Sequence, residues 1–257
     1  MTGFARWIAL GIFISLLVAL MAARRRGARL LPVLDVSLAA LVVGIIGARA
    51  GHVALHWEYF ATASDEILRL SAGGLNWHGA LLGALVGATL MAAIHRVDLL
   101  PLLDSAAFAV PILGAAIWLA CSAANAAYGL EVRSLADYPA WLVVESADIY
   151  GMMAPRLALS VFGLLLSSIV LAGLLPLAGL DGLYGRRLWL ALMQYGIGMA
   201  LIDTFRADAV PLLGGRRADH LLDLAVAGLA AGMLVLTTVV RDMAGRMPTQ
   251  IKRGIAS

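Results

Sequence analysis

His78 sits between Trp77 and Gly79 in the stretch GGLNWHGALLG, residues 73–83, at the mouth of an apolar run. A neutral imidazole takes up a proton near neutrality, so His78 can act as a base towards a substrate proton. The plainer reading is an interfacial histidine beside an interfacial tryptophan. The glycines on either side, including Gly79 and Gly83, leave room for a substrate. A second group lies in GARAGHVALHW, residues 47–57, where Arg49, His52 and His56 share one helical stripe. Arg49 offers a planar fork suited to phosphate, or it pairs with an acid and holds helices together. His52 and His56 have no obvious third ligand, so no metal site is expected. The third group is YGIGMALIDTFRAD, residues 195–208. There Asp203 and Arg206 form either a structural pair or a polar cluster around a substrate. Asp223 is a candidate partner for Arg49 or Arg206. Ser160, Ser167 and Ser168 have no nucleophile-elbow context. Cys121, the one cysteine, reads as a small buried residue.

The elements that must position these groups are membrane helices. The chain of 257 residues is 62% hydrophobic and 14% charged, with mean hydropathy +0.91. A soluble domain is nearer a quarter charged. The excess lies in runs long enough to cross a bilayer core of about 30 Å. The sequence predicts an all-α, polytopic membrane protein of one domain, residues 1–257, with about seven spans. These fall roughly at 5–22, 35–57, 78–95, 103–125, 157–177, 188–206 and 219–240. The third is short and Gly-rich, and is expected to be tilted or partly re-entrant.

Placing the RRRGAR loop in the cytoplasm leaves eleven basic residues inside against seven outside, which favours an N-out, C-in orientation. Residues 241–257 then form a cytoplasmic tail. The segment 129–156 becomes an extracytoplasmic loop or small head whose Tyr138, Trp141 and Tyr150 suit the headgroup level. RRRGAR follows the first run with no small-residue cleavage site, so a retained first helix is expected. The net charge of +3 comes from clusters flanking apolar runs. No nucleic-acid-binding motif is visible, and no nucleic acid partner is expected.

The ordered motifs resemble the prolipoprotein diacylglyceryl transferase family. GARAGHV resembles the family's GGR(I/L)GYV, and GGLNWHGALLG resembles its GGMSFHGGLIG. LLDSAAFAVPILGA is similar to its "D…P" lead into the fourth span, and QYGIGMALIDTFRAD to its GYGxFRxxxExFR. The resemblance covers roughly residues 5–240. It implies a seven-helix body with a periplasmic head in the bacterial cytoplasmic membrane. The implied reaction moves diacylglyceryl from phosphatidylglycerol to the thiol of a lipoprotein signal peptide's lipobox cysteine, without metal or cofactor.

By this resemblance His78 is the catalytic base. Asp203 stands where the family has glutamate and is the second catalytic residue. Arg49, Arg206, Gly79, Asn125 and Gly129 are the expected substrate-binding set. The sequence also departs from the family. Its fourth-span GRxGNFxNGE reads AIWLACSAANA here, with Trp118 in place of an arginine, Cys121 of an asparagine and Ala126 of a glutamate. Met199 replaces a sixth-span arginine, the HPSQLYE-like opening of the fifth span is LALSVFG, and Trp7 stands where a tyrosine is expected. These departures leave a second expectation open, a repurposed relative that binds lipid or a signal peptide without catalysis. A small-solute transporter is a weaker third, because no pair of broken helices is visible.

Overall fold

The computed structural model describes residues 2–70 and 73–246. All of the apolar runs are helical: α1 (Thr2–Arg25), α2 (Leu30–Leu55), α4 (Trp77–His95), α5 (Leu100–Ala123), α6 (Leu159–Leu174), α7 (Arg187–Asp203) and α8 (Ala218–Arg246). A single turn, α3 (Trp57–Phe60), follows α2. Five helices, α1, α2, α4, α5 and α8, are long and apolar enough to cross a membrane. α6 and α7 are shorter, with 16 and 17 residues. The long helices expose large apolar side chains such as Phe13, Leu31, Ile94 and Leu229, the surface a lipid-facing bundle requires. The chain is therefore a polytopic, mostly helical membrane protein.

α4 starts where Asn76 caps it: the Asn76 Oδ1 accepts from the Gly79 N–H at 2.8 Å, satisfying one of the orphan donors of the first turn. It ends at Arg96, in a left-handed conformation with φ 52°. Between these caps the helix is unbroken for 19 residues, about 28 Å. The expected re-entrant break is absent.

Helices α2 and α4 pack backbone to backbone. A Cβ on Gly47 would collide with the Gly79 carbonyl, and a Cβ on Gly79 with the Gly47 carbonyl. Gly83 meets the Val43 carbonyl in the same way. Small residues on both faces are what lets membrane helices approach this closely. The room expected for a substrate at Gly79 and Gly83 is thus filled by α2.

The apolar core lies among α5–α8. It includes Trp118, Leu159, Leu192, Tyr195, Met199 and Ile202. The Trp118 ring occupies the space that Gly163 leaves on α6. One polar bolt crosses this half of the bundle. Buried Asp104 on α5 pairs with buried Arg187 on α7 and also accepts from the backbone N–H groups of Gly185 and Arg187.

The loop between α5 and α6 is ordered and contains strands, so the fold is not purely helical. β1 (Val143–Ala147) pairs antiparallel with β2 (Met153–Leu157). The segment after α5 joins the far edge of β2, through Val132 N–H to the Pro155 carbonyl and Leu157 N–H to the Leu130 carbonyl. The same segment reaches the end of α7, through Leu130 N–H to Phe205 and Ala207 N–H to Tyr128. Tyr138, Trp141 and Tyr150 are exposed on this loop. A second hairpin, β3 (Leu212–Leu213) with β4 (Arg216–Arg217), turns at Gly214 and Gly215. Both have positive φ, 57° and 78°, as a tight two-residue hairpin turn demands. α8 continues through residues 241–246, and residues 247–257, with Lys252 and Arg253 of the expected tail, lie outside the described residues.

Replacing Gly79 with valine should lower stability by about 1–3 kcal/mol, because the new atoms meet a carbonyl that cannot move away. Thermal unfolding in detergent measures it, and an unchanged midpoint would contradict the packing.

Candidate functional site

His78 lies in the first turn of α4 and is buried. Its Nε2 is 2.7 Å from Oδ1 of Asp223 on α8, and its Nδ1 is 3.4 Å from Nδ2 of Asn76. The helix cap decides the protons. Because Asn76 Oδ1 accepts from Gly79, its amide nitrogen faces the histidine and can only donate. Nδ1 of His78 is then an acceptor, and Nε2 carries the hydrogen that Asp223 accepts. The result is a buried imidazole, oriented by a carboxylate and keeping its lone pair on Nδ1. Trp77 covers it, ring centroids 4.2 Å apart.

Asp223 thus pairs with His78 and with neither arginine proposed for it. Its second oxygen, Oδ2, is buried and has no partner among the described residues, as is true of Oδ2 of Asp203. Asp203 ends α7 and accepts from Arg206 Nη1 at 3.1 Å. Arg206 also grips Asp208 through two nitrogens, at 2.9 and 2.5 Å, and faces Asp219 at 3.2 Å. Arg217, delivered by the β3–β4 hairpin, bonds Asp219 at 2.9 and 3.2 Å and the Asp208 carbonyl at 2.9 Å. The result is a buried pair, His78 with Asp223, between α4 and α8, and a charge network of Asp203, Arg206, Asp208, Arg217 and Asp219 drawn from α7, α8 and the connection between them.

Several expected roles change. The Arg206 fork is committed to three carboxylates, so it is not a free phosphate ligand here. Arg49 donates to the carbonyls of Glu66, Ile67, Gly73 and Gly74 at 2.6–3.1 Å, and its guanidinium lies over the Phe60 ring. Four of the five guanidinium N–H groups are engaged, none by an acid. Arg49 therefore pins the connection between α3 and α4, and neither the phosphate role nor the acid pair expected of it matches this geometry. His52 and His56 stack on each other at 4.2 Å, and His52 also meets Phe60 edge-on. Among the described residues no cluster of metal-ligating side chains forms.

Gly79 belongs to the helix contact described above and does not offer its face to a substrate. Gly129 is paired with Arg206 across a β-bridge, and a Cβ there would strike the Leu157 carbonyl. It positions the Arg206 segment through its backbone. Asn125 is exposed beyond the end of α5 with φ 50°, and among the described residues no side-chain bond holds it.

Arg156 on β2 stands apart. It is 94% buried by its 6% exposure, it stacks over Tyr128 at 4.9 Å, and its Nε has no partner. Glu131 and Asp148 approach its Nη2 only to 3.7 Å. The Asp148 carboxyl is held below the usual carboxylate range by the backbone N–H of Met152, with further help from Tyr150 N–H and the Arg156 charge.

Asn76, Asp208, Arg217 and Asp219 were not singled out by the sequence motifs. The available signals were the cap position of Asn76 just before the helix and the alternation of charge in FRAD and RRAD either side of a Gly-Gly turn.

If Arg49 pins this connection, Arg49→Met should expose residues 61–76 to limited proteolysis. It should also destabilise the fold by at least about 1.5–3 kcal/mol, the worth of one charge-assisted bond. Intact digestion patterns would argue against the clamp.

A family model described as prolipoprotein diacylglyceryl transferase matches residues 2–240. The chain is similar to proteins named phosphatidylglycerol–prolipoprotein diacylglyceryl transferase. One, from Clostridioides difficile (strain 630), is 30% identical over 105 residues, 41% of this chain and 42% of the relative. Another, from Bacillus cytotoxicus, is 36% identical over 115 residues, 43% of this chain and 42% of the relative. The chain thus matches about two fifths of the length of these relatives. A third, from Lysinibacillus sphaericus (strain C3-41), is 29% identical over 241 residues, 89% of this chain and 85% of the relative.

Proposed function

The chain belongs to the prolipoprotein diacylglyceryl transferase family, and from that premise we propose that it moves a diacylglyceryl group from phosphatidylglycerol to the lipobox cysteine thiol of a prolipoprotein signal peptide. The observation that carries this reading is the His78–Asp223 pair. Thiolate is the nucleophile in such a transfer, and something near the substrate must take the thiol proton. His78 does so at Nδ1, where only the long contact to Asn76 has to give way. Asp223 holds the ring and stabilises the imidazolium that forms, as carboxylates do in other base dyads. The sulfur attacks the glyceryl carbon, a carbon–sulfur bond forms, the carbon–oxygen bond to phosphate breaks, and glycerol phosphate leaves.

A cation must meet the leaving phosphate. Arg49 and Arg206 are engaged elsewhere, so this task falls to Arg156, whose unpartnered Nε and planar fork suit a phosphate oxygen. Exposed Asn125 is the remaining candidate for a headgroup contact. Asp203 is a positioning residue that holds Arg206 at the end of α7.

The setting is the bacterial cytoplasmic membrane. Seven helices span it with the N-terminus outside and the C-terminus inside, and residues 129–156 form a small extracytoplasmic head. The short α6 and α7 do so within the bundle, flanked by longer neighbours.

One observation favours the second reading, a relative that binds lipid or signal peptide without turnover. Trp118 and Met199, at positions where the family has arginines, are both buried in the apolar core. Reconstituting the purified chain with phosphatidylglycerol vesicles and a lipobox peptide separates the two. Mass spectrometry should find the diacylglyceryl thioether, and His78→Ala should reduce its rate by at least about 100-fold. An unchanged rate would remove His78 from the mechanism. Lipid bound with no thioether and no glycerol phosphate would establish the binding role instead.

A further inference from the structure

Antiparallel pairing sets Glu131 directly opposite Arg156. The bonds on either side, Leu157 N–H to the Leu130 carbonyl and Val132 N–H to the Pro155 carbonyl, make this the non-hydrogen-bonded kind of pair, whose side chains stand closest on one face. Yet Glu131 Oε2 stops 3.7 Å from Arg156 Nη2, and so does Asp148 Oδ2, beyond hydrogen-bonding distance. A buried guanidinium thus has two acids near it, the Tyr128 ring over it, and an Nε with no acceptor. One positive and two negative charges leave this cluster net negative. A phosphate oxygen brought to about 2.8 Å from Arg156 would meet two carboxylates crowding one cation, so one of them has to give way. The two acids are unequally held. Asp148 Oδ1 accepts from the Tyr150 and Met152 N–H groups at 2.8 and 3.0 Å, which locks it into the β1–β2 turn, and its side chain is 18% exposed. The Glu131 side chain is 64% exposed and has no hydrogen bond to Arg156 that must break.

We propose that Glu131 is a displaceable counter-charge on an anion site: it swings out to water when a phosphate ester binds Arg156, and returns when the ester leaves. This role rests on the phosphate reading of Arg156 given above. The exchange costs little. A largely exposed carboxylate at this distance is held weakly, and once it swings out it is fully hydrated. The incoming phosphate gains a charge-assisted contact to the unpartnered Nε, on a fork shaped for it. Asp148 stays in its turn and keeps Arg156 partly neutralised in both states. With the site empty, Glu131 spares the buried cation from standing against a single acid. With the site filled, its competition keeps the affinity for phosphate low enough for release.

Calorimetric titration of the purified full chain in detergent tests the exchange, with short-chain phosphatidylglycerol, soluble glycerol phosphate and short-chain diacylglycerol as probes. Glu131→Gln keeps the size of the side chain and removes its charge. It should bind phosphatidylglycerol, glycerol phosphate or both about two- to fivefold more tightly than the native chain, the worth of one partly exposed charge pair, with diacylglycerol unchanged. Tightening of the lipid alone supports displacement by a membrane headgroup, and tightening of glycerol phosphate supports displacement by the free ester. Arg156→Gln should weaken the phosphate-bearing probes at least about tenfold, and adding Glu131→Gln to it should change nothing further. Equal or weaker phosphate binding by Glu131→Gln, tightening that extends to diacylglycerol, or tightening that survives without Arg156 would overturn the displacement. A lowered unfolding temperature with unchanged affinity would do the same, since it marks an ordinary structural pair. If Arg156→Gln itself leaves phosphate binding untouched, the phosphate reading of Arg156 fails and the displacement falls with it. That outcome differs from one in which Arg156 is required and Glu131→Gln binds like the native chain, where the displacement alone fails.

Discussion

An ionisable side chain inside a membrane bundle needs a partner, because burial of a lone charge costs far more than the fold can spare. Asp223 is that side chain here. It is completely covered, on a helix whose other buried positions are almost all apolar. The hydrogen from His78 makes it tolerable, and that requirement sets much of the surrounding geometry. It brings the start of α4 against α8. It fixes the tautomer of His78 through the Asn76 cap. Asp203 and Arg206 form a second pair at the end of α7, with Asp208, Asp219 and Arg217 balancing the charge at the rim.

The same requirement explains why the arginines are distributed as they are. Each buried or half-buried guanidinium has a job that the fold itself needs. Arg49 satisfies a run of carbonyls in the connection before α4, and by doing so fixes the approach to His78. Arg187 neutralises Asp104 at the other end of the bundle. Arg206 neutralises three acids. Among the buried arginines described, only Arg156 has a buried nitrogen with no hydrogen-bond partner. In a family whose donor carries a phosphate, that is the physical reason to look to β2 for the anion contact. Trp118 and Met199, at positions where the resemblance leads to an expectation of arginine, belong instead to the apolar core with Leu159, Tyr195 and Ile202.

Close helix contacts do the positioning. The glycines of α2 and α4 allow their backbones to touch, and this contact puts Arg49 and His78 at the same end of a two-helix unit. Gly196 on α7 does the same against the Asp223 carbonyl on α8. Membrane helices have little hydrophobic drive to associate, so such steric fits and the few polar bonds between helices decide which neighbours they keep.

The membrane class, the helical runs and the polar residues worth attention were all legible in the sequence, because apolar length and the rarity of intramembrane charge are local properties. The motifs were also enough to point to the family. The partners were not legible, because pairing is set by which helices touch. Asp223 could have faced Arg49 or Arg206 on spacing alone, and only packing of α4 on α8 gave it to His78. Gly79 and Gly83 looked like clearance beside a reactive group, and only the approach of α2 turned them into a contact surface. The strands around residues 128–157 carried too weak a local pattern to be foreseen: β1 and β2 form a short local hairpin, and the segment that joins its edge is itself held by the end of α7, much later in the chain. Composition and motif order determined what kind of protein this is. The tertiary structure decided which charges are already neutralised and which remain for a substrate, because neutralisation depends on distances that no single segment contains.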